Sequence, residues 1–294
     1  MKAQFLATTA IAAMLAGCST AYGEEVETVA EAAQPAVTIP QGSGYFASDS
    51  DLPFLTPDFT QITEDDYVPA FEQGMAIQKA EVEAITSNPA APNFENTIVA
   101  LEKSGRMLGR VANVFFALTG ANTMDRLDEI NTQISPKLSA HFDSITLNPE
   151  LFVRVKAVYD SRASMAMTRE DAKLLEETYK DMVHAGALLT EAERERVKEI
   201  NSQLSKLTTE FSQKVRTATV GNALIVDTAE ELAGLSQVDI ESAAKLATDK
   251  GHEGKFAIAL QNTTRHPLNP VLENRETREK LYWASYHRAD VGGE

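Results

Sequence analysis

The sequence predicts a mainly α-helical protein with a small two-stranded β element. Three observations carry that prediction. Apolar residues recur every three or four positions through most of residues 64–217, the period of one helix face. Several of these runs open on a side chain suited to cap a helix, with acids in the turn that follows. Two short apolar runs near the end, Ala223-Leu224-Ile225-Val226 and Phe256 to Leu260, are bounded by Gly, Asn and Asp and read as strands.

The chain opens on Met1-Lys2-Ala3-Gln4, then an apolar run from Phe5 to Ala16, then Gly17-Cys18-Ser19. One positive charge, a short apolar stretch and small residues form the pattern of a cleaved export signal. A bilayer-spanning helix needs roughly 20 apolar residues, so this run is too short to span. Leu15-Ala16-Gly17-Cys18 is similar to the lipobox of bacterial lipoproteins, which implies acylation of Cys18 as the mature N-terminus. Cys18 is the one cysteine in the chain, so no internal disulfide is available to it. Residues 1–17 are therefore expected to be a lipoprotein signal peptide. Residues 18–50, rich in acids, alanines and threonines, are expected to form the lipid anchor and a flexible tether. The expected location is the cell envelope, on the periplasmic face of the outer membrane.

Residues 51–294 form the body, and its elements follow in order. Structure is expected from the apolar cluster Leu52-Pro53-Phe54. Thr63 before Glu64-Asp65-Asp66 caps a helix running to about Ser87, and Asn88-Pro89 with Pro92 breaks it. Asn93 caps a single helix carrying Ile98, Leu101, Met107, Leu108, Val111 and Phe115 as far as Gly120. Further helices are predicted near 124–146, 149–162 and 169–186. The clearest lies at 191–217, where Thr190 and Glu193 have capping-box spacing. Val197, Ile200, Leu204, Leu207, Phe211 and Val215 make its stripe, whose spacing also suits a coiled-coil seam but which is expected to be a core face packed on neighbouring helices. A helix at about 237–249 separates the two strands, and a last one at about 273–289 bears Leu281, Tyr282, Trp283 and Tyr286.

Composition narrows the function. A formal charge of −16 disfavours nucleic acid, whose binding rests on neutralising phosphates with Lys and Arg. The five histidines, His141, His184, His252, His266 and His287, include no pair four apart, so the helical His-Glu-x-x-His zinc motif is missing. His252-Glu253 begins an imitation, but Gly251 and Gly254 place it in a loop. His184 with Asp181, and His287 with Asp290, could each share a helix face as ordinary polar neighbours. His266-Pro267 reads as a turn. No Gly-x-Ser-x-Gly elbow or phosphate loop occurs. Residue chemistry alone assigns no catalytic and no metal-binding residue.

Several stretches resemble one family. Asp58-Phe59-Thr60-Gln61-Ile62 with Tyr67-Val68-Pro69-Ala70-Phe71-Glu72-Gln73-Gly74-Met75 is one, and Pro92-Asn93-Phe94-Glu95-Asn96-Thr97-Ile98 is another. Leu204 to Ser212, Glu231-Leu232-Ala233-Gly234-Leu235 and Asn274 to Tyr282 complete the set. In this order they are similar to the oligopeptidase A and dipeptidyl carboxypeptidase branch of the M3 (thimet oligopeptidase) family, with the export signal and the wording from Ile62 to Met75 favouring dipeptidyl carboxypeptidase. The resemblance implies the multi-helix N-terminal part of an M3 peptidase-like fold, forming one wall of a channel that admits short peptides. It implies a Zn2+ cofactor whose activated water attacks the peptide carbonyl, with the motif glutamate as general base. C-terminal dipeptides would be released. The family's zinc ligands lie beyond the matched region, so none maps onto this chain, which is expected to be a truncated and, alone, inactive piece. The partners implied are short peptides, and the membrane through the lipid anchor. The competing reading is a non-catalytic helical lipoprotein that binds peptides or serves as a scaffold.

Overall fold

A computed structural model describes residues 37–288 and 290. The signal peptide, Cys18 and most of the expected tether lie outside these residues.

Capping chemistry starts the helices where the sequence places them. The Thr63 N–H donates to the Asp66 carboxylate at 2.8 Å, and α1 runs Glu64–Thr86. Asn148 accepts from the N–H groups of Glu150 and Leu151, opening α5 at Pro149–Ser161. Thr190 and Glu193 form the expected capping box of α7, Glu191–Gly221, which runs four residues past its predicted end. Between these lie α4 at Asp125–Thr146 and α6 at Arg169–Ala185. Strand β1, Ala223–Val226, pairs antiparallel with β2, Phe256–Ala259, with Ala223 opposite Ala259. Helix α8, Gln237–Asp249, joins them, and α10 spans Arg275–Tyr286. The mainly α fold with its two-stranded sheet is as the sequence predicts.

Three local expectations are corrected. The single helix from Asn93 to Gly120 is three pieces: a π-helical segment at Phe94–Val99, one turn α2 at Ala100–Glu102, and α3 at Arg106–Ala121. Gly105, in the left-handed region with φ 71°, makes the break and lets its N–H reach the Glu81 carboxylate at 2.7 Å. His266-Pro267 lies inside a short helix α9, Asn262–Leu268, where a turn was expected. The body also starts before residue 51. Phe46 is buried, and the Arg110 guanidinium holds this segment through the carbonyls of Phe46 and Ala47 and the Asp49 carboxylate, at 2.7–2.8 Å. A short helical turn does form at Pro53–Leu55, with Phe54 98 % exposed and at a positive φ of 60°. Burying an aromatic ring is favourable and strongly bonded backbone keeps it there, so position 46 and not 54 seats this end of the body.

Three apolar clusters succeed one another along the chain. The first joins α1, α3 and α4 around Tyr67, Phe71, Phe115, Ile130 and Ile134. The phenol of Tyr67 is pushed up to about 12, first by burial and then by Glu64 and Asp66. The second gathers the C-terminal end of α1 with α5, α6 and the segment near Ile98. Arg154 closes it off from below, donating to the carbonyls of Asn88 and Ala90 and to Asn96 Oδ1 at 2.9–3.3 Å. The third is built from the sheet, α8, Leu232, Leu272 and Leu281. Helix α7 packs along α4 and leads from the helical part into the sheet.

Candidate functional site

The histidines do not converge. His141 is buried on α4, its Nε2 2.7 Å from Gln78 Oε1 on α1, and burial followed by the nearby Lys79 charge pulls its imidazole below the ordinary range. His184 sits in the last turn of α6, His252 in the turn between two positive-φ glycines, and His266 in α9. His287 follows α10 directly, with Nδ1 2.5 Å from Asp290 Oδ2 and its ring stacked on Trp283. The five histidines thus lie on five separate stretches of chain. Among the described residues no group of three or more His, Cys, Asp and Glu could hold a metal ion. The residues present therefore do not fit the zinc that the family resemblance implies, and no chemical step is derived through it.

What distinguishes the surface is a helix packed inside out. The polar side of α7 faces α4: Asn201 Nδ2 donates to Asp143 at 2.7 Å, and Gln213 Nε2 donates to the Asp128 carbonyl and to Thr132 Oγ1 at 3.1 Å. Arg216 pairs with the Asp128 carboxylate. Of the stripe expected to be core, Ile200, Leu204, Leu207 and Phe211 lie on the outer side, while Val197 and Val215 are half-buried. Leu204 is 59 % exposed, Leu207 61 % and Phe211 68 %, Ile200 is also exposed, and no residue of α7 is buried. The expectation of a core face is thus overturned. Periodicity reveals that a helix has an apolar side but not which side its neighbours within the chain take. The polar residues at 201, 213 and 216 carry that information only once Asp128 and Asp143 are known to stand opposite.

A second apolar face lies on α10, where Tyr282, Trp283 and Tyr286 are exposed and in mutual ring contact. Asn222, the residue after α7, donates to the Arg288 carbonyl just past α10 at 3.0 Å, so the C-terminal ends of these two helices meet. The aromatic residues were legible in the sequence as an amphipathic helix, and their exposure was not. No helix among the described residues is long and apolar enough to cross a membrane. The predicted lipidation residue, Cys18, lies outside the described residues.

Comparison with known proteins places a peptidase group around this chain. The dipeptidyl carboxypeptidase of Escherichia coli (strain K12) is 42% identical over 245 residues, which cover 83% of this chain and 36% of that protein. The Salmonella typhimurium dipeptidyl carboxypeptidase is 41% identical over 241 residues, covering 82% of this chain and 35% of that protein. Oligopeptidase A of Haemophilus influenzae is 27% identical over 237 residues, covering 81% of this chain and 34% of that protein. No family model matches the chain. The chain spans about a third of the length of the curated relatives it matches.

Proposed function

We propose that these residues are part of a zinc-dependent peptidase that releases dipeptides from the free C-termini of short peptides. The observation that carries the reading is the gap in similarity. Identity is 42% and 41% to two dipeptidyl carboxypeptidases but 25% and 27% to two oligopeptidases A, over matches of similar length. On this reading the chain supplies a helical wall of the channel, and the zinc ligands and general base lie outside these 294 residues. A second reading, a non-catalytic peptide-binding or scaffold lipoprotein, draws on the three apolar clusters that the described residues bury.

The test uses quenched fluorescent peptides with free or amidated C-termini, in the presence of zinc. The 294-residue chain is expected to be inert. The product of the gene read beyond the codon for Glu294 is expected to release C-terminal dipeptides from the free peptides and not from the amidated ones. Zinc-dependent cleavage by the shorter chain would refute the placement of the ligands. A longer product that binds peptides without cleaving them would favour the scaffold reading.

The location is part of the same proposal. Cys18 carries acyl chains, and each buried methylene adds about 0.8 kcal/mol, so more than one chain is needed for stable anchoring. The protein would then act on the periplasmic face of the outer membrane. Metabolic labelling with a fatty-acid analogue should tag the wild-type protein and not Cys18→Ser. Equal labelling of both, or of neither, would sink the anchor.

A further inference from the structure

We infer that the outward seam of α7 is the docking face for a helix from that part of the protein which corresponds to the two thirds of the relatives lying outside the match. The inference rests on the peptidase reading and adds a specific contact to it. Ile200, Leu204, Leu207 and Phe211 are spaced four, three and four apart, the repeat that keeps one apolar line facing a partner helix. At 1.5 Å per residue the line is about 16 Å long, three turns of contact. A rim of mixed charge runs beside it, one residue N-terminal to each seam position: Glu199, Gln203, Lys206 and Glu210, with Lys206 and Glu210 paired across one turn.

That pattern selects among occupants. A membrane surface favours a broad apolar face with a basic border, whereas this seam is narrow and its border carries both signs. An unfolded peptide substrate has no fixed spacing to match three- and four-residue steps. A helix with its own apolar line and alternating charges fits both the seam and the rim. The curated relatives supply such a candidate by length, since the matched stretch is 36% and 35% of the two dipeptidyl carboxypeptidases. Among the described residues α7 is held to α4 by its opposite, polar side, and the four seam side chains stay exposed.

The experiment introduces one thiol, Leu207→Cys, in a Cys18→Ser background, with Lys245→Cys on α8 as an exposed control. Maleimide labelling is compared in the 294-residue chain and in the longer gene product. The thiol at 207 should react in the short chain at the control's rate and, in the longer chain, on the order of tenfold more slowly. As a second readout, Leu204→Glu should leave the melting temperature of the short chain unchanged and lower that of the longer chain. Equal labelling in both chains, or a reading frame that closes at Glu294, overturns the inference. Protection in the short chain that disappears on dilution would assign the seam to a second copy and also overturn it. A longer chain that cleaves peptides yet leaves position 207 reactive would sink the docking and keep the peptidase reading. A protected seam without cleavage would do the reverse.

Discussion

At the scale of single residues, two buried polar side chains matter more than the many surface charges. Between α1 and α4, burial and then the Lys79 charge disfavour protonation of His141, whose partner is Gln78. Its folded pKa lies below the ordinary value, so the unfolded chain takes up the proton first. The contribution is fully present above about pH 6.5 and declines as pH falls below it towards the depressed folded value. His141→Gln should flatten this part of the pH–stability curve, measured by urea unfolding between pH 7.5 and 5. A variant curve parallel to the wild type would refute the role. Arg154 is a different case, because its guanidinium satisfies Asn88, Ala90 and Asn96 at once. Arg154→Met should cost about 2–4 kcal/mol by orphaning those acceptors, and a cost under half that would mean water replaces the side chain. Neither role was legible in the sequence. The histidine and the arginine gain their meaning from partners more than fifty residues away.

At the scale of elements, the contrast between two phenylalanines tests how the helices divide their faces. Phe71 on α1 is fully buried, and Phe71→Ala should cost about 3–5 kcal/mol. Phe211→Ala, on the outer side of α7, should stay within about 0.5 kcal/mol in the 294-residue chain. Thermal or urea unfolding of the pair decides the matter, and comparable losses would put the α7 stripe back in a core. Close approach of α1 and α3 gives a further test. A Cβ on Gly74 would stand 2.9 Å from the backbone of Leu108, which cannot rotate away. Gly74→Ala should therefore destabilise by about 1–3 kcal/mol despite its higher helix propensity. Helix starts were legible because Thr63, Asn148 and Thr190 act on neighbours two or three residues away. The break at Gly105 was not, since the apolar spacing continues across it and only the contact with Glu81 on α1 requires the chain to turn there.

For the whole molecule, the sheet with α8, α9 and α10 makes its principal contacts within itself and is reached from the helical part through α7. The lone tryptophan, Trp283, is exposed on α10, two residues from Leu281, which belongs to this third cluster, so its fluorescence follows the folding of that helix. Leu281→Ala should move the fluorescence transition of Trp283 to lower urea, with a loss of about 2–5 kcal/mol, while the far-ultraviolet transition of the long helices shifts little. Equal shifts in both signals would show one cooperative unit instead. The fold class and the order of elements could be read from period and capping because those are local rules. The apolar faces of α7 and α10 could not be assigned, since burial depends on which surfaces meet.

The inside-out packing of α7 also offers a practical handle. A binder raised against Ile200, Leu204, Leu207 and Phe211 would recognise molecules in which this line is bare and ignore those in which it is capped. If the docking inferred above holds, counting the two populations in cell extracts would measure how much of the protein has its seam covered. Replacing the same four side chains with polar ones should make the isolated chain a well-behaved reagent, because all four are exposed among the described residues.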